Sequence, residues 1–333
     1  MNFRTEYNPH TSILALSPSL PVVLAGSCFS QNIAEKMRAS LWQAVNSIGT
    51  LFNPSSIALV LRMMLLSENS VRDFENSLFT DKDTVRSWYF DSKFAAENSS
   101  IAIEHFIKRV HSIHEALKIG KTLIITFGTS ICYFLSSTGK VVGNCHKQPE
   151  SLFFRRRLSI DEISNEWIEL ISRIQDKYGK LKIVFTVSPV RHLRDGFEGN
   201  SRSKATLLLA IEKICESLDN AVYFPAYEIV NDDLRDYRFY ASDLTHPSEM
   251  AVDYIWEKFQ SSFIDEEGRS LLQKGNKIVK GLAHRTVTGS SSSLSESKMR
   301  VERERISRLH AEYSELLSQY PHLLPISYPQ TYE

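Results

Sequence analysis

The stretch VVLAGSCFSQNIA, residues 22–34, decides the fold. A β-branched and apolar run stops at Gly26, small residues follow, and apolar positions then recur at helical spacing. A buried strand that turns sharply into a helix opens a βα unit. Ser27 and Cys28 stand side by side at the turn, and both side chains can act as nucleophiles.

The same alternation repeats outward from this turn. PVVLA (21–25) reads as a buried strand and FSQNIAEKMRASL (29–41) as a helix. QAVNSI (43–48) reads as a second strand ended by Gly49, and PSSIALVLRMMLLS (54–67) as a helix with Pro in its first turn. Residues 71–98 are irregular and aromatic, the pattern of an insertion or a mobile lid. A helix over 99–120, a central strand TLIITFG (122–128) and a hairpin over 132–144 around Thr138-Gly139 follow. SIDEISNEWIELISRIQDKYG (159–179) opens with a capping box from Ser159 to Glu162. Strands KIVFTVSP (182–189) and AVYFPAY (221–227) flank a helix over 203–218, and PSEMAVDYIWEKFQSSF (247–263) is the last core helix. Strands separated by helices of this length require crossovers, so the expected class is α/β: a three-layer sandwich on a five-stranded, mainly parallel sheet, flavodoxin-like. Ligands in such folds bind beyond the carboxyl ends of the strands.

The expected division is an α/β domain over 1–265 and a C-terminal helical appendage over 266–333. The latter holds a serine-rich linker and a charged helix over 297–321, whose stripe Ile306, Leu309, Tyr313 and Leu316/Leu317 is expected to pack on its own domain.

The 333 residues carry 39 basic and 39 acidic side chains, which argues against bulk binding to nucleic acid or an anionic membrane. The basic run FFRRR (153–157) reads as a solvated or ion-paired face, and Arg235-Asp236-Tyr237-Arg238 as an ion-paired loop supporting the site. Apolar runs fall short of the ~20 residues a span needs, and the N-terminus lacks the apolar core of a signal peptide. Cys28, Cys132, Cys145 and Cys215 are scattered without metal or redox spacing, so the expected compartment is a reducing cytoplasm. His105, His111 and His114 recur on one helix and read as a partly exposed face, not a metal site.

In DLTHPSEMAVDYIWEKF (243–259), Asp243 and His246 lie three residues apart just before a helix. On one turn, the carboxylate can orient the ring while the imidazole moves a proton. GSCFSQNIA, NPSSIA, NCHKQP, SPVRHLRDGF, YFPAYEI, DDLRDYRFY and DLTHPSEMAVDYIW, in this order, resemble the motifs of the GSCFA family, itself similar to the SGNH/GDSL hydrolases. The resemblance covers roughly residues 3–320. It implies a nucleophile at Cys28, with Ser27 in the place of an aspartate, and an acid–base pair of Asp243 and His246. Ser27 is the alternative nucleophile if the turn is one residue tighter. A thiol at the helix N-terminus beside His246 is expected to ionise more readily than a free one. Gly49 falls in the place of a backbone oxyanion donor. Ser130, in GTSI (128–131), stands where an amide is expected, and Asn144 is its substitute if the hairpin folds back. His146 and His192 lie in loops near strand ends and are expected to support the site.

The implied activity is hydrolysis or transfer of an acyl group, the substrate being a small-molecule or carbohydrate acyl ester. A cysteine-based acyltransferase or thiol hydrolase shares the fold. The alternative from another class is an inactive binding module. No cofactor or metal is expected, nor a nucleic-acid or membrane partner, and the oligomeric state is left open.

Overall fold

The computed structural model describes residues 4–9, 12–283 and 296–325. Five parallel strands form the central sheet: β1 (Val22–Gly26), β2 (Ala44–Val45), β5 (Thr122–Phe127), β9 (Lys182–Val187) and β10 (Ala221–Phe224), in the order β10-β9-β5-β1-β2. Counted within the sheet this is 2-1-3-4-5, the flavodoxin-like order, whose ligand crevice lies where the winding direction reverses. That point is the carboxyl end of β1, where Gly26, Ser27 and Cys28 stand.

The central strands read as unbroken apolar runs because both sheet faces are covered. Their residues divide by parity. Val23, Ala25, Leu123, Ile125, Phe127, Ile183, Phe185 and Val187 enter one core, and Val22, Leu24, Ile124, Val184 and Phe224 enter the other. The first core is covered by α2 (Pro54–Leu66), α4 (Ser99–Gly120), α5 (Ile160–Tyr178) and α6 (Gly196–Ser217). The second is covered by α1 (Cys28–Arg38) and α8 (Glu249–Phe263). The helix starts follow their capping residues. The Asn53 side chain accepts from Ser56 N–H at 2.8 Å, with Pro54 at the first helical position. Ser159 and Glu162 form the reciprocal capping box.

The expected second strand over 43–48 shrinks to β2, extended only by a bridge between Gly26 and Thr50. Residues 71–98 are packed in, not peripheral. After α3 (Ser70–Glu75) they form a hairpin of β3 (Leu78–Asp81) and β4 (Thr84–Ser87). Phe74, Phe90 and Phe94 from this segment are buried in the first core, Phe74 stacked on Phe106 at 4.3 Å between centroids. The aromatics that make the stretch look irregular are what anchor it. Phe90→Ala is therefore expected to cost about 3–5 kcal/mol in urea unfolding; a loss under 1 kcal/mol would restore the lid reading.

A third sheet joins β6 (Ile131–Leu135), β7 (Val141–Val142) and β8 (Phe153–Arg157), all antiparallel. β8 is the FFRRR run, whose arginines face outward: Arg156 pairs with Glu162 at 2.7 Å, and Arg155 pairs with Asp195. α6 starts seven residues before the expected Ser203. After the short α7 (Ala226–Glu228) and α8, the chain continues into α9 (Glu266–Ala283) and α10 (Glu296–Gln319). Leu309 and Leu316 of α10 pack on Leu271 and Ile278 of α9 and on Leu41, so the charged helix docks on its own chain. The serine-rich run, within 284–295, lies outside the described residues. Among the described residues no helix is long and apolar enough to cross a membrane.

Candidate active site

The elbow rests on Gly26. Its φ is +142°, and a Cβ there would lie 2.2 Å from the Thr126 carbonyl oxygen. Only glycine lets the chain turn this close to β5. Ser27 is extended and donates its N–H to that same oxygen at 3.2 Å, and α1 begins at Cys28. Ser27 is 1 % exposed and its hydroxyl is buried without a hydrogen-bond partner, whereas Cys28 is partly open. Burial pushes the Cys28 thiol up from its ordinary value. The backbone N–H groups of Phe29 and Cys28, together with Lys204, oppose that rise, and Asp243 adds to it. The expected easy ionisation is thus overturned: loss of solvent outweighs the helix N-terminus.

Asp243 and His246 form a closed pair. Asp243 Oδ2 accepts from His246 Nδ1 at 2.6 Å, and Oδ1 accepts the N–H groups of Thr245 at 2.9 Å and His246 at 3.0 Å. These donors hold the Asp243 carboxyl well below the usual carboxylate range. With the proton on Nδ1, Nε2 is left as the acceptor. The turn is tight enough to force Leu244 to φ +55°, a left-handed conformation unusual for leucine. It is tied to the loop after β9 by Arg191 N–H donating to the Thr245 carbonyl at 3.1 Å. His246 has no hydrogen bond to Ser27 or Cys28 among the described residues; its ring partners are Asp243 and Thr245. The elbow and the pair share one sheet edge, near enough that Asp243 acts on the Cys28 thiol and His246 on His192.

The remaining sequence candidates separate. The Ser130 side chain is fully buried, its hydroxyl donating to Ser203 Oγ at 3.1 Å. Gly49 sits against Asp91 and Phe94, on the flank of the 71–98 segment. His146 is buried, with Nε2 2.8 Å from the Ser87 carbonyl and rings of Phe79 and Trp88 beside it, a structural setting. Asn144 accepts from His146 N–H at 2.7 Å and lines a cleft of about 430 Å³. Phe52, Thr129, Tyr133, Arg191 and His192 form other parts of that wall. His192 points Nε2 over Gly128 without a partner. Burial and then Lys204 push its imidazole down to about 4, so it is neutral. A cleft of about 510 Å³ opens elsewhere, between Leu59, Met63, Tyr89 and Lys140, and holds none of the sequence candidates.

Sequence reasoning missed Lys204. It is 1 % exposed, and Nζ donates to the carbonyls of Gly128 and Ser188, both at 2.6 Å, just beyond β5 and β9. The signal was present: Lys204 lies in register with the buried Leu207, Ile211 and Ile214, a cation on an apolar helix stripe.

A sequence model described as the GSCFA family matches residues 21–259, a span that runs from β1 into α8. No curated protein and no solved structure matches the chain.

Proposed function

Because this chain belongs to the GSCFA family, we propose that it hydrolyses or transfers an ester-linked acyl group through a covalent acyl-enzyme on Cys28. One observation carries the choice of nucleophile: at the elbow Ser27 is sealed in and Cys28 is open. The thiol attacks the acyl carbonyl, the carbonyl electron pair moves to oxygen, and collapse expels the alcohol and leaves a thioester. Water or a second hydroxyl then attacks the thioester. His246 Nε2, its ring oriented by Asp243, takes the thiol proton as sulfur attacks and gives it to the leaving alkoxide, then takes the proton of the incoming nucleophile and returns it to the departing thiolate. The backbone N–H groups that open α1 point toward the reacting sulfur and supply oxyanion donors; one such donor is worth ~3 kcal/mol. The cleft beside His192, with Phe52, Tyr133 and Asn144, is large enough for a small or carbohydrate acyl ester. The free cysteines fit work in a reducing compartment.

The buried Ser130, its hydroxyl engaged by Ser203, favours one rival, an inactive binding module, because it supplies no amide to an oxyanion hole. His246→Ala separates the two. Its kcat/KM for an activated aryl ester is expected to fall about 10²–10⁴-fold. A wild-type protein that turns over no ester would leave the binding module standing.

A further inference from the structure

Two arginines of the loop after β9 stand in the wall of the cleft of about 430 Å³, and their charges are matched differently. Arg194 pairs with Glu150, and Asp195, the carboxylate of the same wall, pairs with Arg155. Arg191 forms no ion pair with a carboxylate among the described residues; its partners are the tyrosines Tyr237 and Tyr240. With His192 neutral, this wall carries one unmatched positive charge. The guanidinium carbon lies 4.2 Å from the ring centre of Tyr240 and 5.1 Å from that of Tyr237. Rings engage the face of a guanidinium and leave its N–H edge for other acceptors. Its five N–H donors outnumber the two tyrosine hydroxyls beside them. Main-chain contacts fix this cation to the proposed acid–base pair. Arg191 N–H donates to the Thr245 carbonyl at 3.1 Å, between Asp243 and His246. Tyr240 bridges to Pro247, and the next N–H, of Ala241, donates to the His246 carbonyl at 2.7 Å.

We propose that this cleft binds a carboxylate through the Arg191 guanidinium, and that the substrate is an acyl ester carrying one. The substrate class rests on the reading of the chain as an acyl-transfer enzyme; the carboxylate site does not. One unmatched cation suits one negative charge. A carboxylate carries one, and its two oxygens accept parallel bonds from the planar N–H fork, whereas a phosphate monoester brings nearly two charges. Phe52, Ile131 and Val142 give the cleft apolar wall for the body of the ligand, and Asn144 adds an amide. The charge then fixes which way the ester lies, with one end held by Arg191 and the acyl bond left to the residues beyond the Thr245 turn.

The test is calorimetric titration of the full chain at low salt with benzoate and with benzamide, its neutral counterpart. The wild type is expected to bind benzoate at least about tenfold more tightly than benzamide, the worth of a charge-assisted bond, and phenyl phosphate no more tightly than benzoate. Arg191→Gln is expected to weaken benzoate at least about tenfold and to erase its advantage over benzamide. Arg191→Lys, which keeps the charge without the fork, recovers part of the loss. Lys140→Gln removes a cation from the wall of the cleft of about 510 Å³ and is expected to change benzoate binding less than about twofold. Equal binding of benzoate and benzamide by the wild type would overturn the proposal without any variant. Tighter binding of phenyl phosphate would do the same, as would a folded Arg191→Gln protein that binds benzoate like the wild type. These titrations need no turnover. Benzoate bound through Arg191 by a protein that hydrolyses neither 4-acetoxybenzoate nor 4-acetoxybenzamide would refute acyl transfer alone. Equal turnover of those two esters, with no preference for benzoate, would refute the carboxylate site alone.

Discussion

Cys28→Ala is expected to lower hydrolysis of an activated aryl ester by at least about 10³-fold, while Ser27→Ala stays within about threefold of wild type. The difference follows from the elbow's geometry. Removing the thiol removes the partly open nucleophile at the end of β1. Removing the Ser27 hydroxyl deletes a buried group that caps nothing and bonds to nothing. Loss of an unsatisfied buried hydroxyl is close to neutral or mildly stabilising, so Ser27→Ala also keeps its thermal midpoint. Steady-state kinetics on the two purified variants decide the matter. Full activity in Cys28→Ala with loss in Ser27→Ala would show that the turn is one residue tighter in solution.

Gly26→Ala is expected to destabilise the protein by about 3 kcal/mol or more, from the strain of its backbone conformation and the overlap of its new methyl with β5. The added carbon would sit 2.2 Å from the Thr126 carbonyl oxygen, and that oxygen is fixed because Ser27 N–H bonds to it. Gly139→Ala is the control. Its φ is +68° and its Cβ would meet nothing within 4 Å, so it carries only the left-handed conformational cost of about 1–2 kcal/mol. Urea unfolding of both variants measures the difference. Equal losses would mean that the strands move apart to admit the methyl and that the elbow is soft.

The sheet was legible because the strands are buried on both faces and so read as unbroken apolar runs between helices. The crossovers followed from the alternation, and with them the parallel sheet and its carboxyl edge as the place to look for a site; the strand order did not. Elements held together by tertiary contacts were not legible. The β3–β4 hairpin was hidden because the aromatics that bury its segment, Phe74, Phe90 and Phe94, flank its strands rather than alternate within them. β8 reads as a charge run because its arginines lie in ion pairs with Asp195 and Glu162, far along the chain or across a helix start. α9 was hidden in a change of composition, although Leu271, Leu272 and Ile278 mark its buried face. Within the site, Asp243 and His246 could be read from local spacing, because one turn brings them together. The burial of Ser130 and the position of Lys204 could not, because both depend on α6 crossing the ends of β5 and β9. The thiol's ionisation was misjudged for the same reason: the helix N-terminus is visible in sequence, and the loss of solvent is not.

The central claim is that acyl groups pass through Cys28, and trapping the intermediate tests it most directly. The protein is exposed briefly to an activated aryl ester at neutral pH, quenched in acid, digested and mapped by mass. The account predicts an acyl adduct on the peptide containing Cys28, discharged by hydroxylamine as a thioester is, and absent from Cys28→Ala. An adduct stable to mild hydroxylamine on Ser27, or no adduct on this peptide during measurable turnover, would contradict it.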